Sequence, residues 1–97
     1  MTEREFQRKV KREILERVPG SIVTKTDPTM SQGIPDLLIL LPNGRFAAVE
    51  VKTSKTAPRR PNQDYWVEKL NGMGYSSFVY PENLEVVLND IQRASER

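Results

Sequence analysis

The sequence predicts a small α/β (α+β) domain, with a mixed central sheet flanked by helices in the order αβββαβ plus a C-terminal helix. Three observations predict it: helical apolar periodicity from Thr2 to Val18, two strand-like apolar runs joined by Asn43-Gly44, and a helical segment between the third and fourth strands. A hairpin pairs its strands antiparallel, whereas a connecting helix favours a parallel pair, so the sheet is mixed. With 97 residues, the chain is expected to form one domain over residues 1–97.

The first predicted helix runs from Thr2 to Val18. Thr2 can form a capping box with Glu5, three residues later, and Pro19-Gly20 ends the helix. Glu3 projects onto the apolar face of this helix, which is unusual for an acid, whereas Glu5 projects away from it. We therefore expect a functional role for Glu3, although an acid in the first turn also suits the helix dipole alone.

Three strands are predicted next, at Ser21 to Lys25, Leu37 to Leu41 and Arg45 to Thr53, with a loop rich in turn formers from Thr26 to Gly33. The second strand is an unbroken apolar run bounded by prolines, a pattern typical of a strand buried on both faces. Pro42-Asn43-Gly44 predicts a hairpin, which makes the second and third strands antiparallel.

The C-terminal part begins with a basic loop punctuated by prolines, from Ser54 to Pro61. Asn62 is a favourable N-cap for a helix from Gln63 to about Met73. Tyr75 to Tyr80 is an aromatic, β-prone segment, and a closing helix is predicted from Leu84 to about Ala94.

The composition excludes several kinds of site. The chain has no cysteine, which excludes disulfides and thiolate metal sites, and no histidine, which excludes the serine and cysteine triads and the common zinc sites. Any catalysis must rest on carboxylates, amides, lysines and bound ions. The longest apolar run is too short to span a bilayer and no secretory signal is visible, so we expect a soluble cytoplasmic protein.

Two predicted strands each deliver an acid to the same end of the hairpin. Asp36 follows Pro35 at the start of one strand, and Glu50 lies near the end of the other, on the same face as Lys52. Adjacent carboxylates raise each other's pKa unless a cation separates them, and hard oxygen ligands favour Mg²⁺ or Mn²⁺. The pattern suggests metal-dependent phosphodiester cleavage, in which Lys52 holds the attacking water or offsets phosphate charge and Glu3 completes the metal shell.

A basic segment directly follows this acid pair. Although the net charge is only +2, no acid lies between Val51 and Gln63, where the cations are Lys52, Lys55, Arg59 and Arg60. Such a segment attracts a polyanion, although a solvated loop can have the same composition. Its position after Glu50 favours DNA contact by Lys55, Arg59 and Arg60. Gln63, the first residue of the next helix, could orient Lys52 or the water, contact DNA, or be an ordinary first-turn residue.

These residues resemble the PD-(D/E)XK nuclease superfamily, with Pro35-Asp36 and Glu50-Val51-Lys52 as the motif. More closely, the chain is similar over nearly its whole length to stand-alone VRR-NUC (virus-type replication-repair nuclease) domains. The matching features are Glu3 with Phe6-Gln7, Gly33-Ile34-Pro35-Asp36, Glu50-Val51-Lys52-Thr53, and Gln63 opening a helix that runs to Leu70 and Gly74.

The resemblance implies a restriction-endonuclease-like core and assigns a role to each matching residue. Asp36 and Glu50 would bind the metal, helped by the Val51 carbonyl and, directly or through water, by Glu3. Lys52 would be the catalytic lysine and Gln63 an accessory active-site residue. Whether Glu3 or Glu5 is the family's helix acid is left open by the motif, and the helical-face argument favours Glu3.

The expected function is that of a Mg²⁺- or Mn²⁺-dependent, structure-selective endodeoxyribonuclease acting in DNA repair. Stand-alone members of the family are similar to Holliday-junction resolvases, which implies a homodimer with two sites on a symmetric four-way junction. A compact stand-alone nuclease suits a phage or prophage. The alternatives are a flap or nicking endonuclease on other branched DNA, a catalytically silent DNA-binding module, and a structural protein with decorative charges. Intact Asp36, Glu50 and Lys52 argue against the silent module.

Overall fold

The computed structural model describes residues 1–97 and has the predicted order of elements. Its helices and strands are α1 (Glu3–Arg17), β1 (Ile22–Lys25), β2 (Leu37–Leu40), β3 (Phe46–Val51), α2 (Gln63–Asn71), β4 (Tyr75–Val79) and α3 (Leu84–Ser95), with a 3₁₀ turn at Pro81–Asn83 before α3. None of the helices is both long enough and apolar enough to cross a membrane.

The sheet is mixed, as predicted, with its four strands in the order β1-β2-β3-β4. The antiparallel pairs align Ile22 with Leu40 and Leu37 with Val49, whereas β3 and β4 run parallel and align Glu50 with Phe78. The parallel pair follows from α2, which carries the chain back to the start of the sheet. Glu50 therefore lies between β2 and β4, in the interior of the sheet rather than at its edge.

One face of the sheet is covered by α1 and α3. The predicted capping box begins α1: the Thr2 N–H donates to Glu5 Oε1 (3.0 Å) and the Glu5 N–H to Thr2 Oγ1 (3.1 Å). Helix α1 buries Phe6, Val10 and Ile14 at helical spacing. Together with apolar side chains from α3 and from every second position of the strands, these residues form one core cluster.

The other face is covered only in part, which corrects the prediction that β2 is buried on both sides. Helix α2 packs on β3 and β4 and leaves β1 and β2 largely open. Leu37 and Ile39 belong to the core on the first face and are buried. Leu40 lies on the open face and is 44% exposed, and its cross-strand partner Ile22 is 59% exposed. A single helix is about 10 Å wide and strands lie about 4.8 Å apart, so α2 alone covers about two of the four strands.

The predicted hairpin is present, but the predicted cap of α2 acts differently. The Leu41 N–H donates to the Arg45 carbonyl (2.9 Å), and Gly44 has the positive φ of 85° that the turn requires. Asn62 occupies the N-cap position of α2, yet its side chain makes no capping hydrogen bond and its φ is 71°. Asn62 thus contributes its tolerance of the left-handed conformation, which Asn adopts more readily than most residues.

Candidate active site

Asp36 is held at the start of β2 by its neighbours on both sides. Its Oδ2 accepts a hydrogen bond from the Val51 N–H (2.9 Å), which ties the carboxylate to β3. On the other side, Thr26 Oγ1 donates to the Pro35 carbonyl (2.7 Å) and the Thr26 N–H donates to the Asp36 carbonyl (2.9 Å). Thr26 is a positioning residue that sequence reasoning missed, since nothing in the sequence indicates which residue lies opposite Pro35-Asp36.

The loop that leads to Asp36 is packed against the beginning of α2. Gly33 has a φ of 88°, and a Cβ atom there would lie 2.8 Å from both the carbonyl carbon and the Cβ of Asn62. Nearby, Trp66 Nε1 donates to the Gln32 carbonyl (3.1 Å). The glycine of Gly33-Ile34-Pro35-Asp36 is therefore required by this close approach as well as by its backbone conformation.

Glu50 is the buried acid of the site, with 4% of its surface exposed. Its Oε1 is buried and has no hydrogen-bond partner. Burial, the negative charge of Asp36 and a hydrogen bond with the Asp36 carboxyl group raise the pKa of Glu50 to about 8, while Lys52 opposes the shift. The structure thus brings Asp36 and Glu50 close enough for their carboxyl groups to interact, as the hairpin geometry predicts.

Lys52 extends the same strand face as Glu50 and is 8% exposed. Its backbone N–H continues the parallel ladder to the Val79 carbonyl (2.9 Å), and its Nζ donates to the Pro58 carbonyl (3.0 Å). The ammonium group is therefore anchored to the basic loop while its charge still acts on Glu50. The Pro58 contact had no signal in the sequence, because a backbone carbonyl of a loop leaves no pattern of residue types.

The two candidate acids of α1 differ in their hydrogen bonds and in their effect on Glu50. Glu5 is committed to the capping box, and its hydrogen bonds with Thr2 lower its pKa. Glu3 is exposed rather than part of the buried stripe, but its charge adds to the raised pKa of Glu50. No group of three or more His, Cys, Asp or Glu side chains is close enough to hold a metal ion, so Glu3 does not join Asp36 and Glu50 as a third direct ligand in this geometry.

Gln63 and the cations of the basic loop differ in how far their polar groups are already paired within the protein. Gln63 is buried at the start of α2, and its Oε1 accepts a hydrogen bond from the Arg60 N–H (2.8 Å), which leaves its Nε2 free to donate. Arg59 forms an ion pair with Asp64, and its guanidinium carbon lies 3.9 Å from the centre of the Phe78 ring. Lys55 and Arg60 are exposed and form no ion pair.

The donor set fits a small divalent cation. Two adjacent carboxylates, one with a buried unpaired oxygen, form a compact set of hard oxygen ligands. Mg²⁺ is commonly held by one or two carboxylates, with waters and substrate phosphates completing its octahedron, so a third protein carboxylate is not required. A cation between Asp36 and Glu50 would also remove the conflict that raises the pKa of Glu50.

The largest cavity lies elsewhere, at the opposite end of the sheet. It has a volume of about 680 Å³ and is lined by residues near the beginnings of β3 and β4 and the end of α3, including Arg45, Tyr75 and Asp90. The acid pair instead lies at the end of β3, outside this cavity. The predicted acid pair therefore does not coincide with this cavity, and what distinguishes it is a buried carboxyl group beside a second acid.

Comparisons with known proteins show the family to which the chain belongs. The family model of the VRR-NUC domain matches residues 2–80. A solved structure described as "VRR_NUC domain" is 27% identical, with a TM-score of 0.65, and the match covers 92% of this chain and 97% of that one. A second, "VRR_NUC domain protein", has the same fold at 20% identity, with a TM-score of 0.67 and coverage of 99% and 89%. A search of curated proteins finds no significant match. The chain therefore belongs to the VRR-NUC domain family, which implies a nuclease of the PD-(D/E)XK type with DNA as its substrate.

Proposed function

We propose that this protein is a Mg²⁺- or Mn²⁺-dependent, structure-selective endodeoxyribonuclease that hydrolyses phosphodiester bonds in four-way DNA junctions. The observation that carries the proposal is the buried Glu50 beside Asp36, with an unpaired Oε1. A buried acid pair of this kind destabilises the fold unless a cation neutralises it, so its presence points to a metal-binding role.

In the proposed mechanism, Asp36 and Glu50 would hold the divalent cation, together with the Val51 carbonyl and, through water, Glu3. When bound, the cation would supply Lewis-acid polarisation of the scissile phosphate and a more acidic attacking water. The hydrogen bond from the Val51 N–H fixes the Asp36 carboxylate, so the ligands are oriented before the substrate arrives. Members of the family generally use divalent ions.

Lys52 is the proposed catalytic lysine. Its ammonium group shares a strand face with Glu50 and is held by the Pro58 carbonyl, from which it can move to the attacking water or to a phosphate oxygen. Gln63 is the proposed accessory donor, and its free Nε2 at the start of α2 supports this role. Lys55 and Arg60 are the loop cations available for DNA phosphates, whereas Arg59 would have to leave Asp64 and Phe78 to reach them.

A homodimer is the proposed active form, and the open part of the sheet supports it. Ile22 lies on the edge strand β1 opposite Leu40, and both apolar side chains are exposed to a degree that a second copy could cover. A two-fold pair would present two sites to a symmetric junction. Ile22→Lys is expected to shift the protein to monomer in sedimentation equilibrium. A variant that sediments like the wild type would remove this face from the interface.

The deciding experiment compares cleavage of end-labelled four-way junction, splayed arm, flap and linear duplex, with Mg²⁺, Mn²⁺ or EDTA, beside Asp36→Asn. Paired symmetric nicks on the four-way junction alone, lost with EDTA and in the variant, are expected. Cleavage of flaps or nicking of other branched DNA would keep the nuclease and discard the resolvase assignment. Binding of DNA without cleavage under any condition would identify a catalytically silent module.

A further inference from the structure

The outer face of α1 carries a row of cations that the proposed mechanism does not use. We name it the basic stripe and define it as Arg4, Arg8, Lys11 and Arg12. All four residues are exposed, and they lie on the side of α1 opposite the buried Phe6, Val10 and Ile14. A shallow depression beside Leu15 is lined by three of them, Arg8, Lys11 and Arg12, together with Glu16.

No residue of the stripe forms a salt bridge within the protein, and the acid that lines the same depression, Glu16, is not paired with any of them. The molecule contains four ion pairs, and none involves a residue of the stripe. The other cations of α1 are different: Lys9 pairs with Glu13, and Arg17 pairs with Glu85 of α3. A solvated helix face usually alternates its charges at i, i+4, whereas Arg4, Arg8 and Arg12 repeat the same charge at that spacing, which destabilises a helix.

The stripe lies on a helix that packs on the strand of the acid pair, since α1 contacts β3, which carries Glu50. The stripe extends along the helix axis for about 12 Å, given a rise of about 1.5 Å per residue from Arg4 to Arg12. A duplex of that length carries about seven phosphate charges, so several phosphates lie within reach.

From these observations we infer that the basic stripe is a second DNA-binding surface, which holds the phosphate backbone of a duplex arm next to the cleavage site. This inference rests on the proposed nuclease function and extends it. The basic loop follows the acid pair in the sequence, whereas the stripe precedes it, so the stripe adds a separate DNA contact. The contacts are electrostatic, so the surface reads charge and shape rather than base sequence.

The test is DNA binding by Arg8→Gln/Lys11→Gln, measured by fluorescence anisotropy in EDTA at several salt concentrations, with labelled four-way junction and linear duplex. The control is Lys9→Gln/Lys69→Gln, which removes the same charge, from a cation paired within α1 and from an exposed position on α2. Glutamine has nearly the helix propensity of lysine and arginine, so both variants should fold, and circular dichroism checks this.

The stripe variant is expected to bind about tenfold more weakly than the wild type near 100 mM salt, with the slope of log K against log salt reduced by about two. The control should keep a slope close to that of the wild type. If the two variants have equal slopes of log K against log salt while the wild type binds and cleaves DNA, the stripe is not a DNA-binding surface. The proposed nuclease function would be unaffected by that result. Absence of any DNA binding by the wild type would overturn both proposals.

Discussion

The two faces of the sheet differ in what their residues do. On the α1 and α3 face, Val49 and Val51 are fully buried among apolar side chains. On the α2 face, Glu50 lies between these two valines in the same strand, buried with an unpaired carboxylate oxygen. The first face stabilises the fold, whereas the second holds an acid pair that opposes folding. Strand alternation lets both functions share one six-residue strand.

Replacing Glu50 should give the largest effect, and it should lower activity while raising stability. Glu50→Gln is expected to reduce cleavage at least about a thousandfold, since metal-assisted catalysis contributes several kcal/mol. The same change should raise the melting temperature above pH 8, because it removes a buried charge beside Asp36. Kinetics and calorimetry on one preparation check this. Glu68→Gln, on the exposed side of α2, is the control and should leave both quantities unchanged.

Truncating neighbours in β2 compares the faces directly. Ile39 is fully buried on the packed face, so Ile39→Ala is expected to lower the free energy of unfolding by about 2–5 kcal/mol. Leu40→Ala on the open face should lower it by less than about 1 kcal/mol in dilute protein. Urea unfolding measures both. A loss for Leu40→Ala that grows with protein concentration would show that a second copy covers the open face.

Lys52→Ala should abolish cleavage, with a fall of at least about a hundredfold, while junction binding changes little. The reason is that Lys52 is one of several cations of the proposed DNA surface, whereas it is also the cation whose charge most affects Glu50. Single-turnover cleavage and anisotropy titration separate the two quantities. Retained cleavage would remove Lys52 from the mechanism, and a loss of binding alone would give it a role in holding the loop through Pro58.

The pH dependence of stability tests the acid pair without DNA. The pKa of Glu50 is raised from 4.5 to about 8, so the folded state binds more protons than the unfolded state between these values. The contribution of Glu50 to stability is therefore fully present below pH 4.5 and is lost as the pH rises through about 8. In EDTA, the melting temperature should fall from pH 5 to 9. Glu50→Gln, or millimolar Mn²⁺, should flatten this fall.

The other groups with shifted pKa values do not affect stability between pH 5 and 9. The lowered pKa values of Glu5 and Asp27 affect stability only below the ordinary values of these groups, 4.5 and 3.8, and the pKa of Tyr75, raised from 10.0 to about 12 mainly by burial, affects it only above 10.0. A melting temperature that does not change between pH 5 and 9 in EDTA would show that the pKa of Glu50 is not raised by burial and by Asp36.

The smallest expected effect distinguishes two adjacent arginines of the basic loop. Arg60→Gln should weaken DNA binding and reduce the salt slope by about one, because its guanidinium group is exposed and unpaired. Arg59→Gln should change the slope less, since Asp64 and Phe78 already hold its side chain. Anisotropy at several salt concentrations measures the difference. Equal effects would show that Arg59 leaves its partners when DNA binds.

Local patterns determined most of the architecture. The capping pair Thr2 and Glu5, the turn at Asn43-Gly44 and the apolar periodicities predicted every helix and strand in the right order, because each depends on residues close in the chain. The pairing of Asp36 with Glu50 was also predictable, since a hairpin fixes the register of its two strands.

Tertiary packing decided the rest, because it depends on contacts between residues distant in the sequence. Patterns within short windows of sequence were enough to predict the order of the elements, the proximity of Asp36 and Glu50, and the family. Only the structure showed that α2 leaves Leu40 exposed, that Thr26 holds Pro35-Asp36 and that Lys52 bonds to Pro58. The burial that raises the pKa of Glu50 likewise arises from the packing of neighbouring elements around β3, which no short window of sequence contains.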